Sequence, residues 1–162
     1  MSLGPDPRLI LREEELDTAL ELLFLSEAAL MSTADGALET EAAKLGRTHY
    51  RTLFLLKRRP GLGVRELARL LGLSKQGASR TLGELEKLGL VAKASGGEDA
   101  RRRPAALTTE GASVEARVSE RLRSQVARAY RAGGLDAVPG ARRILTALAG
   151  PRLQVGRAEA ET

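Results

Sequence analysis

Only three residues, Gly72-Leu73-Ser74, separate two short amphipathic stretches of this chain, and so tight a link leaves few ways to fold around it. Val64, Leu67, Ala68 and Leu71 repeat at i, i+3, i+4 and i+7, the stripe of a short helix that buries one side. Gly72 supplies the left-handed backbone that closes such a helix, and Ser74 offers a side-chain oxygen to cap the next. The two helices must then cross steeply, which is the spacing of a helix-turn-helix.

In the second of these helices, residues 74 to 88, Ala78, Leu82 and Leu85 form the expected buried stripe. Gln76, Arg80, Gly83 and Lys87 fall on the opposite side, which is polar but small. Gln76 suits adenine edges, and Arg80 suits guanine edges or phosphate. Gly77 and Gly83 each cost about 1 kcal/mol relative to alanine inside a helix. A close approach to DNA or to a neighbouring helix would offset that cost. The ordinary alternative for Arg80 is an ion pair with Glu84 one turn on.

Residues 90 to 94 and 105 to 108 read as two short strands, joined by a loop over residues 95 to 104 that carries Arg101, Arg102 and Arg103 in succession. Three adjacent like charges repel unless an anion receives them, so this wing is suited to phosphates or a narrow minor groove. Asp99, two residues before Arg101, can hold that guanidinium in place before DNA arrives. Pro104 cannot donate a ladder bond, so the returning strand lies at a sheet edge or starts after it. The fold class expected is mainly α with a small β-hairpin wing, a winged helix-turn-helix.

Helices flank this unit on both sides. Asp6-Pro7 is a good helix start, and the pattern runs to about residue 33. Its middle, Leu22-Leu23-Phe24-Leu25, is apolar all round, whereas a helix with one wet face shows a single stripe. The spare face suggests a partner helix, most simply the same helix of a second chain; burial inside one chain is the alternative. A second helical region is expected over residues 37 to 46, continuing after a bend from 48 to 59. Thr109 is read as the cap of a long helix to about residue 131, and Pro139 as the start of a last one ended by Gly150-Pro151. The expected division is therefore a DNA-binding domain over residues 47–108, helical regions over 6–46 and 109–150, and a polar, disordered tail over 151–162.

Charge sharpens the division. The chain has 26 basic and 21 acidic residues, but residues 1 to 45 hold 3 of the former and 10 of the latter, leaving +12 for residues 46 to 162. So basic a region favours polyanions through counterion release, although arginine-rich surfaces are often merely solvated. The absence of cysteine excludes disulfides, thiolate nucleophiles and sulfur-ligated zinc. No apolar run approaches the roughly 20 residues that span a bilayer, and no export signal is visible, so a cytoplasmic chain with no membrane partner is expected. With no phosphate-cradling glycine loop, no metal-ligand cluster and no nucleophile with a spaced base, an enzyme is the poorest fit and no cofactor is expected.

The order of a long first helix, VRELARLLGLSKQGASRTLGELEKLGLV, the D-x-R wing and the following LTTEG resembles the MarR family over residues 8 to 150. The resemblance implies a winged helix-turn-helix plus a helical dimerisation bundle, formed by residues 6–46 and 109–150, in a homodimer that binds a pseudo-palindromic double-stranded operator and represses or activates transcription. It also implies release of DNA when a small anionic or aromatic effector binds. On that pattern Ser74, Lys75, Gln76, Ser79 and Arg80 correspond to recognition-helix contacts, and Asp99 and Arg101 to the paired wing residues. The wing is short and ends in Arg102-Arg103-Pro104, so either of those arginines competes with Arg101 for the minor groove. Without cysteine the oxidation-sensing branch is unmatched, and a single histidine argues against a zinc-responsive one.

Phe24, His49 and Phe54 are the candidate effector-pocket residues, in a chain only 2% aromatic, although a lone histidine more often serves structure. A winged helix used for architecture or protein contacts, without effector response, is the other open reading. It would discriminate weakly between operator and random DNA.

Overall fold

The computed structural model describes residues 11–41, 44–93 and 104–155, and these form six α-helices, one two-stranded hairpin and a closing 3₁₀ turn. The wing residues Asp99, Arg101, Arg102 and Arg103 lie outside the described residues.

Helix α1 spans Glu13–Leu38. Leu11 and Arg12 precede it in non-helical backbone, and the Arg12 N–H donates to the Glu15 carboxylate at 3.0 Å; the expected start at Asp6-Pro7 lies outside the described residues. Three glutamates in the first turn complement the helix dipole. The helix also runs five residues beyond the expected end at Thr33, because Met31, Ala34, Ala37 and Leu38 make a buried stripe, the last three packed with Tyr50 and Val118. Of the second helical region expected over residues 37 to 46, residues 37 and 38 belong to α1, and the described residues among 39 to 46 are not helical. Instead Thr40 folds back, its N–H and Oγ1 both donating to the Ala37 carbonyl at 3.2 and 2.7 Å, and residues 44 to 46 are irregular.

Helix α2, Arg47–Arg58, is stapled to what precedes it. Arg47 donates from Nε and Nη2 to both oxygens of Asp35, near the end of α1, at 2.6–3.0 Å. Helices α3, Val64–Leu71, and α4, Lys75–Lys87, follow with the expected turn: Gly72 sits at φ +68°, and Ser74 Oγ accepts the Gly77 N–H at 3.0 Å. Strands β1, Val91–Lys93, and β2, Ala105–Leu107, pair antiparallel with Val91 opposite Leu107, so the return strand begins just after Pro104.

Helix α5, Thr109–Gly133, is capped by Thr108 and not Thr109: Thr108 Oγ1 accepts the Gly111 N–H at 3.0 Å and donates to the Gly89 carbonyl at 2.7 Å. Helix α6, Ala137–Ala149, starts two residues before Pro139, which stands in the first turn where its missing N–H costs nothing. The tail is ordered further than its polar composition suggests. Gly150–Gln154 form a 3₁₀ turn, Val155 is buried, and its carbonyl accepts a hydrogen bond from Arg59 at the end of α2.

Two apolar clusters hold the chain. Leu53, Leu56, Leu62, Leu67, Leu85, Leu90, Val91 and Val114 gather α2, α3, α4, the hairpin and the start of α5. Ala34, Ala37, Leu38, Tyr50 and Val118 join α1 to α2 and α5. Helix α5 contributes to both. Elsewhere α1 exposes Leu16, Leu20, Leu22, Phe24 and Leu25, and α6, which buries nothing, exposes Ile144, Leu145 and Leu148. Among the described residues nothing covers these two apolar helix faces, a pattern that ordinarily marks an interface.

Candidate nucleic-acid interface and an adjoining cavity

Helix α4 buries Ala78, Thr81 and Leu85, and leaves Leu82 half-buried. Thr81, absent from the apolar stripe read in sequence, can turn inward because its hydroxyl donates to the Gly77 carbonyl at 3.0 Å, satisfying its polarity within the helix. Ser74, Lys75, Gln76, Ser79 and Arg80 are all exposed at the start of the helix, and the structure brings these five to one end of one element. Lys87 continues the exposed side. A Cβ at Gly77 would lie 3.2 Å from Ser74 Oγ, so its smallness keeps the cap intact; one at Gly83 would meet nothing within 4 Å. Among the described residues no neighbouring helix therefore accounts for Gly83.

Arg80 does pair with Glu84, Nε to Oε1 at 3.4 Å, while its side chain stays 83% exposed. The other Glu84 oxygen lies 2.8 Å from Nε2 of His49. His49 Nδ1 accepts the Gly46 N–H at 3.0 Å, which caps the first turn of α2 and leaves the ring proton on Nε2 for Glu84. His49 is thus held between a backbone cap and the recognition helix.

The cavity lies elsewhere, an open cleft between α1, α2, α3 and α5 with a volume of about 620 Å³. That is ample for a drug-sized ligand. Of the three aromatic-pocket candidates only Phe54 lines it; Phe24 is 70% exposed on α1 and His49 faces α4. Its walls are Leu30 and Met31 from α1, Leu70 and Leu71 from α3, and Leu122 and Val126 from α5, with Tyr50 at 6.2 Å from Phe54, ring to ring. The polar groups on the wall are Tyr50, Ser119, Arg51 and Arg123, with Tyr130 at the rim. Tyr50 and Ser119 hydroxyls are 2.9 Å apart, and burial pushes the Tyr50 phenol up from its ordinary pKa.

Behind that wall Ser119 donates to Glu115, which is 1% exposed and takes its second hydrogen bond from Lys57 of α2. The sequence reading missed this network. Its partners are 58 and 69 residues apart, and no local pattern announces them.

Two bidentate arginine–carboxylate pairs brace the junction of α1 with α2 and α5. Hydrogen bonds from Arg47 hold the Asp35 carboxyl below the usual range, and hydrogen bonds from Arg117 do the same for Glu41. A depressed carboxyl pKa adds stability that is fully present above the unfolded values of about 4 and is lost as pH falls through the lower folded values. The urea midpoint is therefore expected to drop on acidification below about pH 4, and the double variant Asp35→Asn with Glu41→Gln to flatten that drop. An unchanged acid limb in the variant would contradict it.

Among the described residues no helix is long and apolar enough to cross a membrane, and no group of three or more His, Cys, Asp or Glu is placed to hold a metal. The chain matches the model of the MarR family over residues 43–102. It is 35% identical to the HTH-type transcriptional regulator PetP of Rhodobacter capsulatus over 151 residues, 93% of this chain and 90% of that protein. The Mycobacterium tuberculosis MarR family protein Rv2887, solved in complex with salicylic acid, is 26% identical with a TM-score of 0.60, over 86% of this chain and 97% of that one. A MarR family protein from Bacillus stearothermophilus, 19% identical, superposes with a TM-score of 0.69 over 86% of this chain and 96% of that one, and supports the fold alone. The helix-turn-helix, its hairpin and these relatives agree: the chain belongs to the MarR family of winged helix-turn-helix transcriptional regulators, proteins that act on transcription and are not enzymes.

Proposed function

We propose that this regulator is a cytoplasmic homodimer that represses transcription from a pseudo-palindromic operator and lets go when a small anionic or aromatic compound fills the cavity. The observation that carries the DNA reading is the exposed cluster Ser74, Lys75, Gln76, Ser79 and Arg80 at the start of α4, with the hydrophobic core wholly on the other side. Two such helices, related by a two-fold axis, enter successive major grooves about 34 Å apart. The wings, through Asp99 with Arg101, Arg102 or Arg103, flank them on the minor groove. The apolar faces of α1 and α6 are the natural subunit contact, so residues 6–46 and 109–150 serve dimerisation and 47–108 serve DNA.

The effector reading rests on position. Leu70 and Leu71, the last residues of α3 before the turn, form one wall of the cavity, and α5 forms another. A ligand that wedges these apart moves the helix-turn-helix relative to the long helix that joins it to the dimer. Arg51 and Arg123 supply positive charge for a carboxylate, and the relative Rv2887 has been solved with salicylic acid.

The test begins with selection of operator from random-sequence duplexes, followed by competition binding over a salt titration. Arg101→Ala is expected to weaken binding to every sequence and to lower the salt slope by about 1, whereas Gln76→Ala relaxes preference at one base position. Sedimentation is expected to give the mass of a dimer, and added aromatic acids to lower operator occupancy. A monomer binding all duplexes alike would defeat the proposal.

A further inference from the structure

We infer that Glu84 is a specificity-determining residue, which steers Arg80 toward base edges and away from phosphates, and that His49 is the positioning residue that holds Glu84 to this task; the inference rests on α4 being the DNA-reading helix. An ordinary surface pair one helical turn apart is loosely held. Here one carboxylate oxygen faces Arg80 Nε at 3.4 Å and the other accepts from His49 Nε2 at 2.8 Å. The ring cannot readily swing, because its second nitrogen is engaged by the Gly46 N–H at 3.0 Å. It sits in the first turn of α2, where Arg47 is bound bidentately to Asp35 of α1. Glu84 is therefore anchored from α2, not merely tethered to α4.

The consequence follows from what each target offers. A phosphate draws arginine by net charge, and an adjacent fixed carboxylate cancels most of that pull and repels the phosphate besides. A guanine edge is neutral and asks for donors in a fixed fork. The contact is through Nε, and the side chain is 83% exposed, so its terminal amino groups remain accessible for that use. Holding the guanidinium also reduces the freedom lost on binding. The carboxylate thus costs affinity for random DNA more than for operator.

The experiment uses the full chain and measures Kd for operator and for random duplex across a salt titration in wild type, Glu84→Gln, His49→Ala, His49→Gln and Arg80→Ala. Glu84→Gln keeps an acceptor for His49 and removes only the charge. Its expected effect is tighter random-duplex binding, a salt slope steeper by about 1, and an operator-to-random ratio lowered about tenfold. His49→Ala moves the ratio the same way by a smaller factor, and His49→Gln, which retains a donor, restores most of it. A purely structural role would weaken both duplexes equally, and that outcome, or an unchanged ratio and slope in Glu84→Gln beside an impaired Arg80→Ala, overturns the inference alone. If Arg80→Ala itself binds both duplexes like wild type, the reading of α4 fails and takes the inference with it. Should His49→Ala not fold, the solvent-facing Glu84→Gln decides the matter.

Discussion

Gly111→Ala is expected to destabilise the folded chain by at least about 3 kcal/mol, seen as a fall of about 6–12 °C in the thermal midpoint followed by circular dichroism. A Cβ on this residue would lie 1.9 Å from the Leu90 carbonyl oxygen and 2.8 Å from its carbon, against the 3.0 Å that real Cβ atoms essentially never breach. The obstacle is backbone, so no side chain can rotate away. Nor is it free backbone: the same Leu90 oxygen accepts the Thr108 N–H at 3.1 Å, and the Leu90 N–H donates to Leu85 at 3.0 Å. The first turn of α5 is thereby stitched to the corner between α4 and β1. Relief requires shifting α5, which carries Val114 in one apolar cluster and Val118 in the other. A midpoint within 2 °C of wild type, which for a chain this size means under about 1 kcal/mol, would show that the corner yields and the argument is wrong.

That glycine also marks how far the sequence could be read. Its place in LTTEG is visible as a motif, but the reason for it is a contact with Leu90, twenty-one residues away, that no local pattern encodes. Features built from neighbours in sequence were legible: the left-handed Gly72, the Ser74 cap and the return strand after Pro104. Errors arose where tertiary packing outweighed local preference. Ala34, Ala37 and Leu38 extend α1 through Asp35-Gly36 because they are buried, and the burial of Val155 accompanies a 3₁₀ turn over Gly150–Gln154 that composition does not suggest. The pocket residues failed to converge for a similar reason. Position near the first two helices suggests Phe24 and His49, whereas the cavity takes Phe54, Tyr50 and Tyr130 together with leucines from four helices, whose meeting is a property of the fold.

The second large effect lies at the polar side of that cavity. Lys57→Met is expected to cost about 3 kcal/mol, since removing the partner of a buried carboxylate leaves that carboxylate uncompensated. The two partners are unequally placed: the Lys57 side chain is 45% exposed and that of Glu115 1%. With Lys57 gone, the Glu115 carboxylate keeps only the hydroxyl of Ser119, too little to replace the water it lost on folding. Glu115→Gln presents the opposite case. The lysine left behind turns to solvent, and the amide oxygen still accepts from Ser119, so the loss is expected to stay near 1 kcal/mol. Adding Glu115→Gln to Lys57→Met should then restore about 2 kcal/mol, a coupling measurable as a double-mutant cycle in urea. Equal losses from the two single variants would mean that the pair acts through its mutual attraction alone. Unequal losses would locate the cost in burial of Glu115, the group that holds Ser119 and, through it, Tyr50 in the cavity wall.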